Sequence, residues 1–287
     1  MCRFDPGMEE FRRLLDCLGL SWQGYRRVRK GIKKRIRRHM QESGYATSEQ
    51  YLVALEQDKE LRTECERLMT VSISRFFRDR ALWHALEKKI LPDIIERNRE
   101  KIRVWFAGCA CGEEVFSFAI LWDQLQGQFN TLPVLEALAT DMNTVYLEKA
   151  KEGVFSRSSL KEVPDEVRAK YFLRQEGEER YRIMPLFRMG ITWKLHNLLH
   201  DPPDESFDII FLRNNLLTYY KPEISRPALQ KIIACLMPGG YLVIGSHEKV
   251  PVNMENMLPF ENFSYILQNQ DRGESSTIQT NRKTVCR

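Results

Sequence analysis

Apolar residues recur at helical spacing through the first quarter of the chain. Four segments show this spacing, and residues that break or cap helices separate them. The segments are 8–19, 24–43, 47–57 and 59–70, and the separating residues are Gly19, Ser21, Gly24, Gly44 and Thr47. We therefore predict an all-helical N-terminal domain over residues 1–75, followed by one more amphipathic helix at 79–97.

After residue 100 the pattern changes to short apolar runs that alternate with helical stretches. The runs are 104–107, 134–139, 207–211 and 241–245, and the helical stretches are 113–126, 144–151 and 224–236. Parallel strands joined by crossover helices require this alternation. The sequence therefore predicts an α/β domain with a doubly wound sheet over residues 76–268.

Two segments depart from this pattern. Within residues 172–192, polar and apolar residues alternate in short runs, which predicts a small antiparallel β-subdomain inserted into the α/β domain. Residues 269–287 are polar and have no apolar period, so we predict a mobile tail there.

The composition, with 43% hydrophobic and 29% charged residues in 287, is that of a globular protein. No apolar run reaches the roughly 18 residues of a membrane span, and the N-terminus lacks the layout of a signal peptide, so we expect a cytoplasmic protein without membrane insertion. The seven cysteines are scattered without the spacing of a zinc site or a disulfide framework. We expect reduced thiols, no metal and a monomer.

Positive charge is concentrated near the N-terminus. Residues 1–40 hold twelve Lys or Arg against four Asp or Glu, and nine of these cations stand within residues 26–38, where there is no acid. The apolar residues between them recur every four positions; they are Val28, Ile32, Ile36 and Met40. This amphipathic basic helix is either a solvated face or a docking site for an acidic protein surface. The candidate docking residues are Arg26, Arg29, Lys33 and Arg37.

The first apolar run leads through a loop with Gly108 and Gly112 into a helix. Open α/β sheets bind nucleotides at such a junction. The glycine triplet of a dinucleotide site and the Lys-Ser/Thr of a phosphate loop are both absent, which disfavours NAD and ATP. Two carboxylates, Glu113 and Glu114, open the helix instead. They are suited either to capping the helix or to binding a cationic amine.

Asp141 ends the second apolar run, about 30 residues after the glycine loop. A carboxylate there can accept hydrogen bonds from two ribose hydroxyls, although it can also cap the next helix, a role that Asn143 partly serves. Together the loop and Asp141 favour an adenosine ligand that carries an amino acid rather than a pyrophosphate. S-adenosylmethionine fits this description.

Several motifs lie in a fixed order over residues 10–268. They are Ser72-Ile-Ser-Arg-Phe-Phe-Arg78, the Gly-Glu-Glu core of residues 108–117, Ala139-Thr-Asp-Met-Asn143, residues 207–214 and residues 237–245. In these motifs the chain resembles the CheR family, which are S-adenosylmethionine-dependent methyltransferases that act on glutamate side chains of chemotaxis receptors. The resemblance implies a helical N-terminal domain, a Rossmann-like class I methyltransferase domain and a small inserted β-subdomain.

The resemblance also implies a set of site residues. The cofactor would be bound by Ser72, Ser74, Arg78, Gly108, Gly112, Glu114, Asp141, Asn197, Leu198, Arg213 and Asn214. Within this set, Glu114 would hold the methionine amino group and Asp141 the ribose. Arg78, Arg213 and Tyr219 are the candidate catalytic residues.

The chain departs from the family pattern at several positions. Ser72 and Ser74 replace the usual Asn and Thr, and Thr218 stands where the family usually has a Tyr beside the reacting methyl group. Two cysteines, Cys109 and Cys111, occupy the loop, where we expect small packing residues rather than reactive thiols. The stretch 171–180 lacks a Gly-x-Gly turn found in members that bind a receptor-tail peptide, so we expect no such tethering. We assign no role to His247.

A carboxylate acceptor is already ionised at neutral pH, so methyl transfer to it needs alignment and desolvation rather than a general base. The sequence accordingly shows no Ser-His-Asp or Cys-His set. We expect methyl transfer to glutamates of a protein partner such as the cytoplasmic domain of a chemoreceptor, and no nucleic-acid partner. A methyltransferase for a small molecule or another protein, and a cofactor-binding regulatory module without turnover, are the alternatives.

Overall fold

The computed structural model describes residues 7–97, 99–175, 177, 179–250, 254 and 256–270. The mobile tail was predicted to begin at residue 269, but Asn269 belongs to the last strand, and residues 271–287 lie outside the described residues. The helical region, as we call residues 7–70, contains α1 (Met8–Cys17), α2 (Trp22–Tyr25), α3 (Arg29–Glu42), α4 (Ser48–Gln57) and α5 (Lys59–Met69). The part of the chain that the structure describes has no helix both long and apolar enough to cross a membrane.

The basic segment forms a helix that is shorter than predicted. A turn at residues 26–28 separates α2 from α3, so the predicted helix 24–43 is two helices. The apolar stripe of α3 faces inward, because Ile32, Ile36 and Met40 are each at most 3% exposed. They pack with Phe11, Leu55 and their neighbours to form the core of the helical region. The cations of α3 therefore lie along its outer sides.

The rest of the chain alternates helices and strands. In order, they are α6 (Arg80–Ala85), a π-helical turn (Leu86–Ile90), α7 (Leu91–Glu96), β1 (Lys101–Ala107), α8 (Glu113–Leu125), β2 (Val134–Asp141), α9 (Thr144–Glu152), β3 (Val154–Ser156), α10 (Asp165–Tyr171), β4 (Phe172–Arg174), β5 (Arg180–Ile183), a 3-10 helix (Pro185–Arg188), β6 (Ile191–Leu195), β7 (Phe207–Leu212), α11 (Leu216–Tyr219), α12 (Pro222–Ala234), β8 (Leu236–Ile244), β9 (Met257–Phe260) and β10 (Phe263–Asn269).

Within the described residues, seven strands form one sheet in the order β6-β2-β1-β7-β8-β10-β9. The first five are parallel, and β10 runs antiparallel to both β8 and β9. The direction of strand addition reverses between β1 and β7. In open α/β sheets, ligands bind at the carboxyl ends of the strands beside such a reversal.

Strand β1 is buried on both faces. Val104 and Phe106 belong to one hydrophobic core, whereas Trp105 and Ala107 belong to the core on the opposite face. Successive side chains of a strand point to opposite faces, so a strand covered by helices on both sides needs apolar residues at every position. This explains why the sequence shows a continuous apolar run rather than an alternating one.

The inserted antiparallel sheet has the strand order β3-β5-β4. The insertion was predicted to run to residue 192, but residues 191 and 192 already belong to β6, which pairs in parallel with β2. Ile191 and Trp193 pack against the core of the main sheet. Alternation along a strand does not specify which sheet it joins, so the sequence pattern left this pairing undetermined. The stretch 171–180, which lacks the Gly-x-Gly turn, has one glycine, Gly177. Both neighbours of Gly177 lie outside the described residues.

Candidate functional site

A cleft lies at the carboxyl ends of β1, β2 and β7, closed on one side by the helical region. Ten of the predicted site residues line it: Ser74, Arg78, Gly108, Glu114, Asp141, Asn197, Leu198, Arg213, Asn214 and Tyr219. Ser72 and Gly112 are not among its lining residues; the Ser72 hydroxyl lies 3.5 Å from the sulfur of Cys111. Residues from five separate parts of the sequence are thus brought to one place.

The glycine loop is tied to the end of β2. The backbone amides of Gly108 and Cys109 both donate to the carbonyl of Thr140, each at 2.8 Å. Gly108 has a φ of +86°, and a Cβ there would clash with the Asn215 side chain, so only glycine suits this position. The next residue but one, Ala110, donates its backbone amide to Asp141. The loop therefore presents backbone directly to the cleft.

Asp141 is buried and accepts from backbone on both oxygens. Oδ2 accepts from the amide of Ala110 at 2.9 Å and Oδ1 from the amide of Asn143 at 2.8 Å. Burial raises the pKa of Asp141, while these amides act in the opposite direction. Each oxygen keeps a further lone pair for a hydroxyl donor. The cap of α9 is Asn143, whose side chain accepts from the amide of Val145 at 3.0 Å.

Arg213, directly after the carboxyl end of β7, forms ion pairs with two carboxylates. The Arg213 side chain is 5% exposed and donates to Oε2 of Glu114 and Oδ2 of Asp79. Burial lowers the pKa of Arg213, but the two carboxylates more than offset this effect and hold the pKa above its ordinary value. In the described residues, Oε1 of Glu114 accepts no hydrogen bond. That oxygen is the one suited to a cationic ligand.

The segment after β7 is fixed by Glu248. Oε2 of Glu248 accepts from the amides of Asn214 at 3.0 Å and Gly245 at 2.6 Å, and Oε1 accepts from the Thr218 hydroxyl at 2.5 Å. Thr218 therefore faces Glu248 and is not among the residues that line the cleft. The two residues that follow it, Tyr219 and Tyr220, are aromatic and both line the cleft.

The acceptor end of the cleft, as we call the part around Arg78 and Tyr219, has a cation and a phenol. Arg78 donates to the carbonyl of Ile73 at 3.0 Å. Burial and the charge of Glu248 raise the pKa of Tyr219, and the charge of nearby Arg78 lowers it. Among the described residues the Tyr219 hydroxyl has no hydrogen-bond partner. It is protonated at neutral pH and free to donate to a ligand.

The cysteines of the loop are not activated. Burial raises the pKa of Cys109 and of Cys111, so both are thiols at neutral pH. This agrees with the expected packing role. In the described residues, no group of three or more His, Cys, Asp or Glu is arranged to hold a metal ion.

Sequence reasoning missed several residues of the cleft. Tyr25, Glu66 and Thr70 line it from the helical region, and Asp79 and Glu248 hold residues that line it. Asp79 directly follows the motif that ends at Arg78, and its acidic side chain next to that motif is the sequence signal that could have identified it. The contributions of the helical region depend on how α1, α2 and α5 pack against the sheet, which no local pattern reveals.

The residues of the cleft fit S-adenosylmethionine. Asp141 has the buried carboxylate that ribose hydroxyls require, and Glu114 has an oxygen available to an ammonium group. Three carboxylates line the cleft, those of Glu66, Glu114 and Asp141, and they disfavour a pyrophosphate and favour a cationic ligand. The sheet is doubly wound, a glycine loop follows its first strand, and Asp141 ends its second strand. This combination is typical of the class I S-adenosylmethionine methyltransferases.

Comparisons with known proteins give the family. The family described as "CheR methyltransferase, SAM binding domain" matches residues 72–266, and the chain belongs to this family. A chemotaxis protein methyltransferase of Listeria monocytogenes is 34% identical over 87% of this chain and 92% of its own length, and one of Listeria innocua is 33% identical over the same shares. The N-methyltransferase NodS of Bradyrhizobium japonicum aligns with 67% of this chain and 99% of its own, with 13% identity and a TM-score of 0.36. The protein is an S-adenosylmethionine-dependent methyltransferase.

Proposed function

We propose that this methyltransferase acts on glutamate side chains of a protein partner, such as the cytoplasmic domain of a chemoreceptor. The observation that carries the proposal is that Arg78 and the unpartnered Tyr219 hydroxyl both lie at the acceptor end of the cleft. A guanidinium and a phenol are suitable donors to a carboxylate. The relatives that are named chemotaxis protein methyltransferases support the same acceptor.

Cofactor binding is assigned to two of the carboxylates in the cleft. Asp141 accepts from the ribose hydroxyls, and Glu114 accepts from the methionine ammonium through the oxygen that Arg213 leaves available. Arg213 keeps Glu114 in place because it also bonds to Asp79. When bound, S-adenosylmethionine supplies an electrophilic methyl group on a sulfonium. It is a cytoplasmic metabolite, and we place the reaction in the cytoplasm.

The acceptor side needs no general base. A glutamate carboxylate is ionised at neutral pH, so Arg78 and Tyr219 have only to align it and to replace its water. The Tyr219 phenol is protonated at neutral pH, since burial raises its pKa above an ordinary value that is already well above 7, and it can donate a hydrogen bond. The lowering of the barrier then comes from orientation, which is an effect of several kcal/mol when the reacting atoms are held about 3 Å apart.

The partner is proposed to dock on the basic face, which we define as Arg26, Arg27, Lys30 and Lys34. These four cations are exposed. Of the residues predicted from the sequence to dock, Arg26 is exposed, whereas Arg29, Lys33 and Arg37 are half-buried. The basic face begins one residue after Tyr25, which lines the cleft. A partner with an acidic helical surface around its glutamates would be attracted to this face and brought to the acceptor end.

The function is tested by incubating the protein with methyl-labelled cofactor and a chemoreceptor cytoplasmic domain. We expect label in the receptor as a base-labile ester, and we expect Tyr219→Phe to reduce this labelling with little change in the affinity for S-adenosylhomocysteine. Incubation with a cell extract is the companion experiment. Label that enters only a small molecule or an unrelated protein would refute the receptor as acceptor.

Docking is tested separately by charge reversal. Changing Arg26, Lys30 and Lys34 to Glu should raise the KM for the receptor and reduce its dependence on salt, with kcat and cofactor affinity unchanged. The matched control reverses three exposed cations outside the basic face, Lys59, Lys161 and Lys194, for the same change in net charge. Equal effects of the two triple variants would contradict docking on the basic face.

A further inference from the structure

The helical region contributes an aromatic ring to the acceptor end of the cleft. Tyr25 is 2% exposed and lines the cleft together with Tyr219. The two ring centroids lie 5.0 Å apart and the ring planes are tilted by 57°. Aromatic pairs at such separations contribute about 0.5–1.5 kcal/mol beyond the burial of their surface. The placement of Tyr219 therefore depends on a residue almost two hundred positions earlier in the chain.

Tyr25 is held in place by the end of α5. Its hydroxyl donates to the carbonyl of Met69 at 3.1 Å, and Met69 is the last residue of that helix. Burial raises the pKa of Tyr25 well above its ordinary value, so the phenol remains protonated and continues to donate. The ring is thus fixed between α5 and Tyr219.

Backbone hydrogen bonds fix the spacing between the two tyrosines. The amide of Ser21 donates to the carbonyl of Tyr219 at 2.8 Å, and the amide of Lys221 donates to the carbonyl of Gly19 at 3.0 Å. Residues 20 and 220 form an antiparallel bridge between these two bonds. We call the paired segments 19–25 and 218–221 the seam.

Gly24 allows the seam to close tightly. A Cβ at Gly24 would clash with the backbone carbonyl oxygen of Thr218 and would lie 3.0 Å from the ring of Tyr219. The Thr218 carbonyl belongs to the backbone, so it cannot rotate away from an added Cβ as a flexible side chain would. The main chain beside Tyr25 is therefore in direct contact with the segment that carries Tyr219.

We propose that Tyr25 is a positioning residue for methyl transfer, which holds the ring of Tyr219 so that its hydroxyl points toward the acceptor carboxylate. This inference rests on the proposed function, in which the Tyr219 hydroxyl orients that carboxylate. The Tyr25 hydroxyl is already bonded to the carbonyl of Met69, so Tyr25 acts on the acceptor carboxylate through the ring of Tyr219. It also directly precedes the basic face, so the docking surface and the acceptor end meet at this residue.

The first test compares three variants by kcat, KM and affinity for S-adenosylhomocysteine. Tyr25→Leu removes the aromatic face, and we expect kcat for a receptor acceptor to fall about tenfold with cofactor affinity within about twofold of wild type. Tyr25→Phe keeps the ring and should retain most of kcat. Tyr45→Leu is the matched control, because Tyr45 also packs on a tyrosine of the helical region, at 5.6 Å, but does not line the cleft.

A double-variant cycle separates positioning from a general structural role. Tyr219→Phe removes the hydroxyl on which Tyr25 is proposed to act, so adding Tyr25→Leu to it should cause little further loss of kcat. Independent, multiplying losses would overturn the proposal. So would an unchanged kcat in Tyr25→Leu, or a loss of cofactor affinity that matches the loss of rate.

A measurement without turnover distinguishes this inference from the proposed function. With ¹³C-labelled tyrosine rings, the NMR signal of Tyr219, assigned through Tyr219→Phe, should shift in Tyr25→Leu and not in Tyr45→Leu. An unshifted Tyr219 signal in Tyr25→Leu would overturn the inference. A wild-type protein that methylates no glutamate acceptor would refute the proposed function and leave this NMR result to decide the role of Tyr25.

Discussion

Asp141 combines two tasks at the scale of a single side chain. Its oxygens hold the amides of Ala110 and Asn143, and the same oxygens are proposed to accept from the ribose. The carboxylate is therefore oriented before the cofactor arrives. Burying it costs free energy, which appears as a raised pKa for Asp141.

Replacing Asp141 by Ala should weaken binding of S-adenosylhomocysteine by about 1–3 kcal/mol, because the ribose donors lose a charged acceptor and the loop loses an anchor. Asp141→Asn keeps one oxygen acceptor and should lose less. Calorimetric titration of the folded variants measures both effects. Unchanged affinity in both variants would place the ribose elsewhere.

Glu113, the neighbour of Glu114, predicts an unusual dependence of stability on pH. Glu113 is 6% exposed, and its Oε2 has no hydrogen-bond partner in the described part of the chain. Burial raises the pKa of Glu113, against hydrogen bonding from its own amide, Ser74 and Ser159. Because the folded pKa lies above the unfolded one, the stability that this carboxyl contributes is complete below the unfolded pKa and is lost as pH rises through the folded pKa.

Glu113→Gln should therefore unfold at a higher urea concentration than wild type at pH 7, because the amide has no charge to desolvate. The difference should shrink as pH falls below the ordinary range of glutamate, where the wild-type carboxyl is also neutral. Glu56→Gln, at an exposed position of α4, is the control and should show no such trend. A wild type more stable than Glu113→Gln at pH 7 would contradict the prediction.

At the scale of elements, Glu248 connects the loop after β8 to the loop after β7. It accepts two backbone amides and one hydroxyl, and this turns Thr218 away from the cleft and leaves Tyr219 facing it. The orientation of α11 is therefore set by a residue thirty positions further along the chain.

Glu248→Ala should destabilise the protein by about 1–3 kcal/mol, because the amides of Asn214 and Gly245 lose their acceptor. It should also lower kcat, since the acceptor end loses its shape. Glu248→Gln keeps an oxygen for the amides and should retain more of both. Urea denaturation measures the free energy of unfolding, and initial rates give kcat. Equal losses of both quantities in the two variants would show that the hydrogen bonds to Glu248 do not account for its effect.

At the scale of the whole molecule, the cleft is built by the helical region and the sheet together. Tyr25, Glu66 and Thr70 line it from one side and Asp141 from the other. Thr70 also accepts a hydrogen bond from the side chain of Asn143 at 2.8 Å, which links the two sides beside Asp141. A ligand in the cleft therefore contacts both parts of the protein.

Binding of S-adenosylhomocysteine should slow hydrogen exchange in residues 18–25 and 69–73 as well as in the glycine loop. At a concentration one hundred times the Kd, it should stabilise the protein by about 2.7 kcal/mol. Gly24→Ala forces the seam apart, so it should lose the protection of residues 18–25 and keep that of the glycine loop. Protection confined to the loop in wild type would show that the helical region does not take part in binding.

Much of the architecture could be predicted from the sequence because it depends on local periodicity. The apolar runs at 104–107 and 134–139 identified buried parallel strands, and the glycine loop with Asp141 identified the kind of ligand. These features can be recognised within short segments. A strand buried on both faces requires apolar residues along its own length, and a tight loop requires glycine at particular positions.

Other features were decided only by the tertiary structure. By the family resemblance Thr218 stands where a Tyr lies beside the reacting methyl group. In the structure Glu248 binds the Thr218 hydroxyl and Tyr25 packs on Tyr219, and Tyr219 lines the cleft. The triad of Arg213, Glu114 and Asp79 likewise joins three distant segments. In an irregular segment the direction of a side chain is set by partners that folding brings together, and no pattern within the segment itself contains them.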